Sequence, residues 1–299
     1  MLDVVIIGSG PAGITAAIYA KRANLNVAVV EKEYLGTGQI AESSRVDNYP
    51  GIPGIDGYSL GEKFREHAES LGVEFTEAQV LSLGQKDGIW IIGCDEDITL
   101  ESKAVIYATG CKNRPLGVPG EEKYYGRGLS FCAVCDGAFY KGKRVAVIGG
   151  GDTALDDAMY LSDICEKVYH VHRREFFRGS ASTLEKLKQK ENVEIIVNVR
   201  VEEITGDKKI DGIILDNKTK LNISGLFAAV GMIPQTELLK EFGVLDESNY
   251  VKASEDTKTT VNGLFAAGDV RTKQLRQVVT AAADGANAIY SVMEYLRNI

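Results

Sequence analysis

The sequence predicts an α/β protein built from two Rossmann-like domains, with the second domain inserted into the first. Two glycine-rich loops, at 8–13 and 149–154, each follow a run of apolar residues and precede a helical pattern. A strand, a glycine turn and a helix in this order are typical of the Rossmann unit. Two further runs, GLFAAVG at 225–231 and GLFAAGD at 263–269, are nearly identical, as though each domain ended in the same strand. Because no linker or low-complexity segment separates them, we expect interleaved domains.

The composition is that of a globular protein of two domains. The chain has 299 residues, enough for two domains that each bury a core. Its formal net charge of −8 argues against a nucleic-acid partner, because phosphate binding relies on clustered Lys and Arg. No apolar run approaches the roughly 20 residues of a membrane-spanning helix. The first residues, MLDVVIIGSG, enter a strand without a signal-peptide pattern. We therefore expect a cytosolic protein with no membrane partner.

The cysteines contain one pattern, the Cys-x-x-Cys pair of Cys132 and Cys135. The other three, Cys94, Cys111 and Cys165, are isolated, unlike the dense framework of a secreted disulfide-rich domain. A Cys-x-x-Cys pair is either a redox dithiol or half of a zinc site, and zinc needs two further ligands. None of the three histidines makes a second ligand pair with a cysteine. The sequence therefore favours redox chemistry over zinc, with a pair of buried thiols as a further alternative.

The first glycine loop lies between an apolar run, LDVVII at 2–7, and the helical pattern ITAAIYAKRA. Gly8 permits the tight turn, Gly10 lets the backbone approach a pyrophosphate, and Gly13 lets the helix pack on the strand. The phosphates are expected at the helix amino terminus. Glu31 ends the next strand, where its carboxylate can accept hydrogen bonds from ribose hydroxyls. This domain is therefore predicted to bind an adenosine whose ribose carries no 2′-phosphate.

The second glycine loop repeats this layout in RVAVIGGGDTALDDAMYLSD, with one difference. No carboxylate stands where Glu31 stands in the first domain, and a basic cluster takes its place. The members of the cluster are His172, Arg173, Arg174 and Arg178. Arg binds a phosphate through a planar fork of donors, so this strand end suits the 2′-phosphate of the coenzyme. It therefore favours NADPH over NADH. A basic surface turn that closes a helix is the alternative.

The late run GLFAAGD ends in an acid, Asp269, which precedes a loop and a long helical pattern. The helix begins near VVTAAADG and continues toward the end of the sequence. A second turn that faces a pyrophosphate at a helix amino terminus is therefore expected there.

Taken together, these motifs resemble bacterial low-molecular-weight thioredoxin reductases over essentially the whole chain. The matching segments, in the family's order, are GSGPAG, GQIAESSRVDNYPG, ATG, GRGLSFCAVCDGAFY, GGGDTA, HRREFFR and GLFAAGDVRTKQLRQVVTAAADG. The resemblance implies FAD in the first domain, NADPH in the second, thioredoxin as the disulfide substrate, and a homodimer. We place the FAD-binding domain at 1–112 and 236–299, and the NADPH-binding domain with the cysteine pair at 113–235.

The resemblance also implies which residues contact the cofactors. Glu31 would lie at the ribose, Gln39 and Asn48 near the flavin, and Asp269 at the ribitol and pyrophosphate. The residues expected to contact FAD are Gly8, Gly10, Pro11, Ala12, Gly13, Glu31, Gly38, Gln39, Asn48, Val80, Ala108, Gly110, Gly268, Asp269, Arg276, Gln277 and Val278. Those expected to contact NADPH are Gly149, Gly151, Asp152, Thr153, Ala154, His172, Arg173, Arg174 and Arg178.

The cysteine pair completes the expected electron path. A hydride from NADPH reduces the flavin, the flavin reduces the Cys132–Cys135 disulfide, and the dithiol reduces thioredoxin through a mixed disulfide. The resemblance implies that Cys135 faces the flavin and that Cys132 is the interchange thiol. It also implies that Asp136 is the acid that protonates the leaving thiolate or the reduced flavin, and a cap on the next helix is a second possible role for Asp136. Because the pair and NADPH share one domain, we expect that domain to move, with hinges near 111–115 and 231–236.

Two kinds of alternative remain open. One is a flavin disulfide reductase with another donor, such as ferredoxin, or with another disulfide partner; the arginine cluster speaks against ferredoxin. The other is an NADPH-linked redox sensor, which would react once with a disulfide where an enzyme turns over many times.

Overall fold

The computed structural model describes residues 1–33, 38–43 and 45–299. Residues 34–37 and Ser44, a position in the GQIAESSRVDNYPG motif, lie outside the described residues, as does the side chain of Glu42. The chain divides into two compact units. The first unit comprises Met1–Lys112 and Ile233–Ile299, and the second comprises Asn113–Met232. The second unit is therefore inserted into the first along the chain.

The first stretch of the chain begins with a strand–helix–strand arrangement. A 3-10 helix at Gly38–Glu42 lies between the second strand and the second helix. In chain order the elements are β1 (Leu2–Ile7), α1 (Pro11–Arg22), β2 (Val27–Glu31), α2 (Gly57–Ser70), β3 (Glu74–Glu77), β4 (Val80–Lys86), β5 (Ile89–Cys94), β6 (Thr99–Tyr107) and β7 (Cys111–Asn113).

The inserted unit contains a parallel sheet and a smaller antiparallel sheet. Its elements are β8 (Leu129–Ser130), α3 (Ala133–Asp136), β9 (Arg144–Ile148), α4 (Asp152–Ser162), β10 (Lys167–His172), α5 (Ala181–Lys188), β11 (Val193–Val197), β12 (Val201–Thr205), β13 (Gly212–Leu215), β14 (Lys220–Asn222) and β15 (Gly225–Ala228). The parallel sheet has the order β11-β10-β9-β15-β8, and the antiparallel sheet has the order β12-β13-β14. Strand β16 (Met232–Pro234), where the chain returns to the first unit, pairs with β7.

The chain then completes the first unit with β17 (Leu264–Ala266) and α6 (Val278–Leu296). The sheet of this unit has the order β3-β2-β1-β6-β5-β4, and β17 also pairs with β6. The pairs formed by β1, β2, β3, β6 and β17 are parallel, whereas β4, β5 and β6 pair antiparallel. The parallel core is that of a Rossmann fold, as the sequence predicts.

The core of the first unit follows from the apolar strands and the small residues of two helices. Four of the six residues of β1 and all five of β2 are buried, as expected for strands covered on both faces. A side chain at Gly285 on α6 would overlap the Ala12 carbonyl oxygen of α1, so the two helices pack closely. Their buried faces join those strands in one hydrophobic cluster.

The second unit repeats this packing around β9. Leu155, Ala158 and Leu161 of α4 are fully buried, which confirms the helical face predicted from their spacing. They pack with Val145 and Val147 of β9. Within the part of the chain that the structure describes, no helix is long and apolar enough to cross a bilayer.

Candidate active site and cofactor sites

The first glycine loop closes tightly between β1 and α1. Gly8 has a φ of +107°, and a Cβ there would lie 2.5 Å from the Ala108 carbonyl oxygen. A Cβ at Gly13 would overlap the carbonyl oxygen of Gly8, so only glycine fits either position. Helix α1 begins at Pro11 with no side-chain cap and no acidic residue in its first turn. Its first amide groups therefore suit an anion such as a pyrophosphate.

Glu31 ends β2 with its side chain buried. One carboxylate oxygen, Oε1, forms an ion pair with Nη1 of Arg65 on α2. The other, Oε2, is buried and has no hydrogen-bond partner among the residues that the structure describes. A buried acceptor without a donor is costly. A ribose hydroxyl at Oε2 would supply the missing donor.

Asp269 lies in the turn after β17, within the 3-10 helix Gly268–Val270. Its buried Oδ1 is also without a partner in the described part of the chain. Burial raises the pKa of this carboxyl, while Lys273 and Arg276 act to lower it. The Asp269 carbonyl oxygen accepts hydrogen bonds from the Cys111 thiol over 2.9 Å and from Arg276 Nε over 3.3 Å. The first unit thus contains two buried carboxylate oxygens, Glu31 Oε2 and Asp269 Oδ1, that lack a hydrogen-bond donor among the described residues.

Two of the predicted flavin residues meet although 229 positions separate them. Asn48 Nδ2 donates to Gln277 Oε1 over 2.8 Å. Gln277 is also the N-cap of α6, where its backbone N–H donates to the Thr280 hydroxyl over 3.1 Å. Val278 is the first residue of that helix. The α6 amino terminus therefore brings Asn48 and Gln277 to one place.

The remaining residues that the resemblance assigns to FAD lie on other segments of the first unit. Gly38 and Gln39 begin the 3-10 helix that precedes α2, and Val80 begins β4. Ala108 and Gly110 follow β6, and Gly110 has a φ of +67°. All predicted FAD residues therefore belong to one unit.

The second glycine loop closes between β9 and α4. Gly149 has a φ of +155°, and a Cβ there would overlap the Ala229 carbonyl oxygen. Helix α4 begins after Gly151, which offers no side-chain cap. The Asp152 carboxylate of its first turn is engaged by the backbone N–H of Ser180 over 2.7 Å. The next two predicted residues, Thr153 and Ala154, also lie in the first turn of α4.

The basic cluster follows β10 in a segment that folds back onto this loop. Arg178 donates its backbone N–H to the Gly150 carbonyl oxygen over 2.7 Å. His172 is buried, its Nε2 lies 3.2 Å from the Phe176 carbonyl oxygen, and burial lowers its pKa although that contact raises it. A neutral His172 therefore stabilises the turn that leads from β10 to Phe176. The exposed side chains of the cluster are Arg173, Arg174 and Arg178.

Cys132 and Cys135 form a disulfide across the start of α3, with Cα atoms 5.3 Å apart. The backbone N–H of Cys135 donates to Cys132 Sγ over 3.2 Å. A hydrogen bond to sulfur favours the thiolate, so this contact suits the interchange role predicted for Cys132. The described residues contain no group of three or more His, Cys, Asp or Glu side chains that could hold a metal ion.

Asp136 follows the disulfide and has a carboxyl suited to donating a proton. Burial raises its pKa, opposed by a hydrogen bond from the Ser130 hydroxyl to Oδ2 over 2.6 Å. A carboxyl that keeps its proton to a higher pH than usual can act as a general acid. Asp136 occupies the N-cap position of the 3-10 helix Gly137–Tyr140, but its side chain makes no capping hydrogen bond. The second role considered for it, a helix cap, is therefore wrong, because Ser130 engages the carboxylate.

Two buried residues that sequence analysis missed hold the predicted turns. Asp284 on α6 accepts a hydrogen bond from the Gly268 N–H over 2.9 Å and is paired with Arg271. His170 on β10 contacts the Gly149 carbonyl oxygen through Nε2 over 3.1 Å, and burial lowers its pKa to about 4. A polar residue at an inward-facing position is the sequence signal for such a role, but that signal does not name the partner.

The comparisons with known proteins agree on one family. The model of the family described as "Pyridine nucleotide-disulphide oxidoreductase" matches residues 2–285. The thioredoxin reductase of Bacillus subtilis (strain 168) is 38% identical over 305 residues, covering 99% of this chain and 95% of the relative. The crystal structure of thioredoxin reductase from Streptococcus pyogenes MGAS5005 is similar with a TM-score of 0.93 and 40% identity, covering 100% of this chain and 99% of that one. The thioredoxin reductase from Giardia duodenalis has a TM-score of 0.91 and 38% identity, covering 99% of both chains.

Proposed function

The chain belongs to the pyridine nucleotide-disulphide oxidoreductase family, and we propose that within it the protein is an NADPH-dependent thioredoxin reductase that carries FAD. The observation that carries this function is the Cys132–Cys135 disulfide, which lies in the same unit as the second glycine loop and its arginine cluster. A disulfide beside a site for a nicotinamide coenzyme suits the transfer of reducing equivalents to another disulfide.

The first unit fits FAD at two points that need hydrogen-bond donors. Glu31 Oε2 and Asp269 Oδ1 are buried acceptors with no partner among the described residues. FAD offers hydroxyl donors on its ribose and its ribitol, and Glu31 would hold the ribose while Asp269 would hold the ribitol. The glycine loop would hold the pyrophosphate at the α1 amino terminus, and Asn48 and Gln277 would contact the flavin side. The full set proposed for FAD is the one predicted from the sequence.

The second unit fits NADPH better than NADH. The strand end that would meet the adenosine ribose carries no carboxylate, and the exposed Arg173, Arg174 and Arg178 are available to a 2′-phosphate. The backbone of Gly150 ties the arginine segment to the loop that would hold the pyrophosphate. NADPH is therefore proposed to bind at Gly149–Ala154 and at the basic cluster.

FAD, when bound, supplies the two-electron chemistry that links a nicotinamide coenzyme to a disulfide. The Cys132–Cys135 disulfide takes up two electrons and two protons and becomes a dithiol. Asp136, with its raised pKa, provides a proton to the thiolate that leaves. The thiolate of Cys132, favoured by the Cys135 N–H, then attacks the thioredoxin disulfide, and Cys135 displaces the reduced thioredoxin from the mixed disulfide.

The experiment that tests this function is steady-state reduction of thioredoxin by NADPH with the purified protein. Many turnovers per protein are expected, and Cys132→Ser and Cys135→Ser should each abolish them while NADPH still bleaches the flavin absorbance. A single turnover would favour the redox sensor. Turnover with reduced ferredoxin but not with NADPH would show that NADPH is wrongly assigned as the electron donor.

We propose further that the protein is a cytosolic homodimer. Three of the five cysteines are free thiols in the structure, a usage typical of a reducing compartment. Several large apolar side chains of the first unit are exposed, among them Tyr290 at 64% on α6, and a second copy of the chain would remove such side chains from water. Sedimentation velocity over a range of concentrations would measure the oligomeric state, and a monomer throughout would contradict it.

A further inference from the structure

Arg65 on α2 is a buried cation that contacts Glu31, Glu69 and Phe75. It is 7% exposed. Its Nη1 pairs with Glu31 Oε1, its Nε donates to Glu69 Oε1 over 2.7 Å, and its guanidinium carbon lies 3.6 Å from the centroid of the Phe75 ring. Two edges and one face of the guanidinium plane are therefore held, and the group has one orientation fixed by the fold.

This arrangement distinguishes the two oxygens of Glu31. Arg65 engages Oε1, whereas Oε2 is buried and lacks a partner among the residues that the structure describes. A contact to one oxygen fixes the rotation of the whole carboxylate, so it also fixes the direction of the other oxygen. If Arg65 bound both oxygens with its fork, Glu31 would keep fewer acceptor positions for a ligand.

The charge of Arg65 matters as much as its position. Both side chains of the pair are almost fully buried, at 8% and 2% exposure for Arg65 and Glu31. A carboxylate at this depth is stable as an anion only beside a counter-charge. An ionised carboxylate forms stronger hydrogen bonds with hydroxyl donors than a neutral acceptor does. Arg65 thus supplies the counter-charge beside Glu31 and fixes the direction of its carboxylate.

We propose that Arg65 is a positioning residue for the adenosine ribose of FAD. It pairs with Oε1 of Glu31 and so presents Oε2 to the ribose hydroxyls, and it acts through Glu31 without touching the ligand. This inference rests on the proposed role of Glu31 in FAD binding.

The test compares two flavins on the full-length protein freed of its flavin. FMN has the flavin and ribitol of FAD but no adenosine, so only FAD can sense the ribose site. Arg65→Met, which keeps the apolar stem, should weaken FAD binding by about 10- to 100-fold, the loss of a charge-assisted hydrogen bond, and leave FMN binding within about twofold. Arg65→Lys restores the charge and should recover part of the FAD affinity. Glu69→Gln is the matched control and should leave both affinities unchanged, because its amide oxygen can still accept the hydrogen bond from Arg65 Nε and the pair with Glu31 is untouched.

The outcomes separate this inference from the function on which it rests. If Glu31→Gln leaves FAD affinity unchanged, the ribose site itself is misplaced. If Glu31→Gln weakens FAD but Arg65→Met does not, or if Arg65→Met weakens FAD and FMN alike, the inference about Arg65 alone is overturned. If Arg65→Met does not fold, the double variant Glu31→Gln with Arg65→Gln tests the role of Arg65 instead. This double variant replaces the ion pair by two neutral amides. It should bind FAD as weakly as Glu31→Gln alone, and a further loss confined to FAD would show that Arg65 does not act through Glu31.

Discussion

The substitution Asp284→Asn should destabilise the first unit, because Asp284 is the shared partner of two buried cations. Its carboxylate accepts hydrogen bonds from Arg271 over 2.6 and 2.8 Å and from Lys273 over 2.9 Å. It also accepts the backbone N–H of Gly268 over 2.9 Å, which fixes the turn before Asp269. Asparagine keeps the shape and one acceptor oxygen but removes the negative charge.

The expected cost follows from the depth of the cluster. The side chains of Arg271 and Lys273 are 7% and 6% exposed, so neither cation can be rehydrated without moving. Removal of one partner from a buried ion pair costs about 3–5 kcal/mol, because it leaves an uncompensated charge. For a unit of this size the midpoint of thermal unfolding should fall by roughly 6–20 °C.

The single tryptophan provides the assay. Trp90 is fully buried in the first unit, so its fluorescence during denaturant unfolding reports on that unit. Glu294→Gln on the same helix is the control, because Glu294 pairs with Lys258 where both side chains are nearly half exposed, and it should cost less than about 1 kcal/mol. Equal costs for the two variants would refute the claim that the buried cluster holds the turn.

Four other variants probe the second unit. Arg173→Ala and Arg178→Ala should each weaken NADPH by about 1.5–3 kcal/mol and leave NADH nearly unchanged, as KM values for both coenzymes will show; equal losses would remove the case for the 2′-phosphate. Cys135→Ser should accumulate a mixed disulfide between Cys132 and thioredoxin, detectable by non-reducing electrophoresis. If no mixed disulfide forms, Cys132 is not the interchange thiol and Cys135 takes that role. Burial raises the pKa of Asp157 to about 7, so the folded state binds its proton more tightly than the unfolded state, and stability should fall as pH rises from about 4 to 7, by up to about 1.4 kcal/mol per pH unit. Asp157→Asn should remove that slope from unfolding curves followed by circular dichroism.

The elements that the sequence predicts well are those specified by local pattern. The apolar runs of β1 and β9 and the glycine positions after them could be read directly, because a strand covered on both faces and a tight turn each restrict residue type at every position. The α4 face was predicted for the same reason, since residues on one helical face recur at fixed spacing.

The contacts that complete the sites are long-range, and spacing does not encode them. Arg65 looks in the sequence like any charged residue of an exposed helix, yet it is buried against Glu31, 34 positions earlier. Asn48 and Gln277 are 229 positions apart and meet only because α6 returns to the first unit. Each such pair depends on the angle at which a helix crosses a sheet, and that angle results from the packing of many side chains at once.

The location of the cysteine pair leads to a prediction about dynamics. The disulfide and the residues proposed for NADPH belong to one unit, whereas those proposed for FAD belong to the other. NADPH and the disulfide exchange electrons with the same flavin, and we expect them to reach it in turn. Motions of whole domains take microseconds to milliseconds and often limit turnover. We expect kcat at saturating NADPH and thioredoxin to fall nearly in proportion as sucrose raises the viscosity, because a moving domain displaces solvent. A kcat that stays constant while the viscosity changes, together with rapid-mixing traces in which the NADPH and thioredoxin steps also stay constant, would show that no such motion limits the reaction.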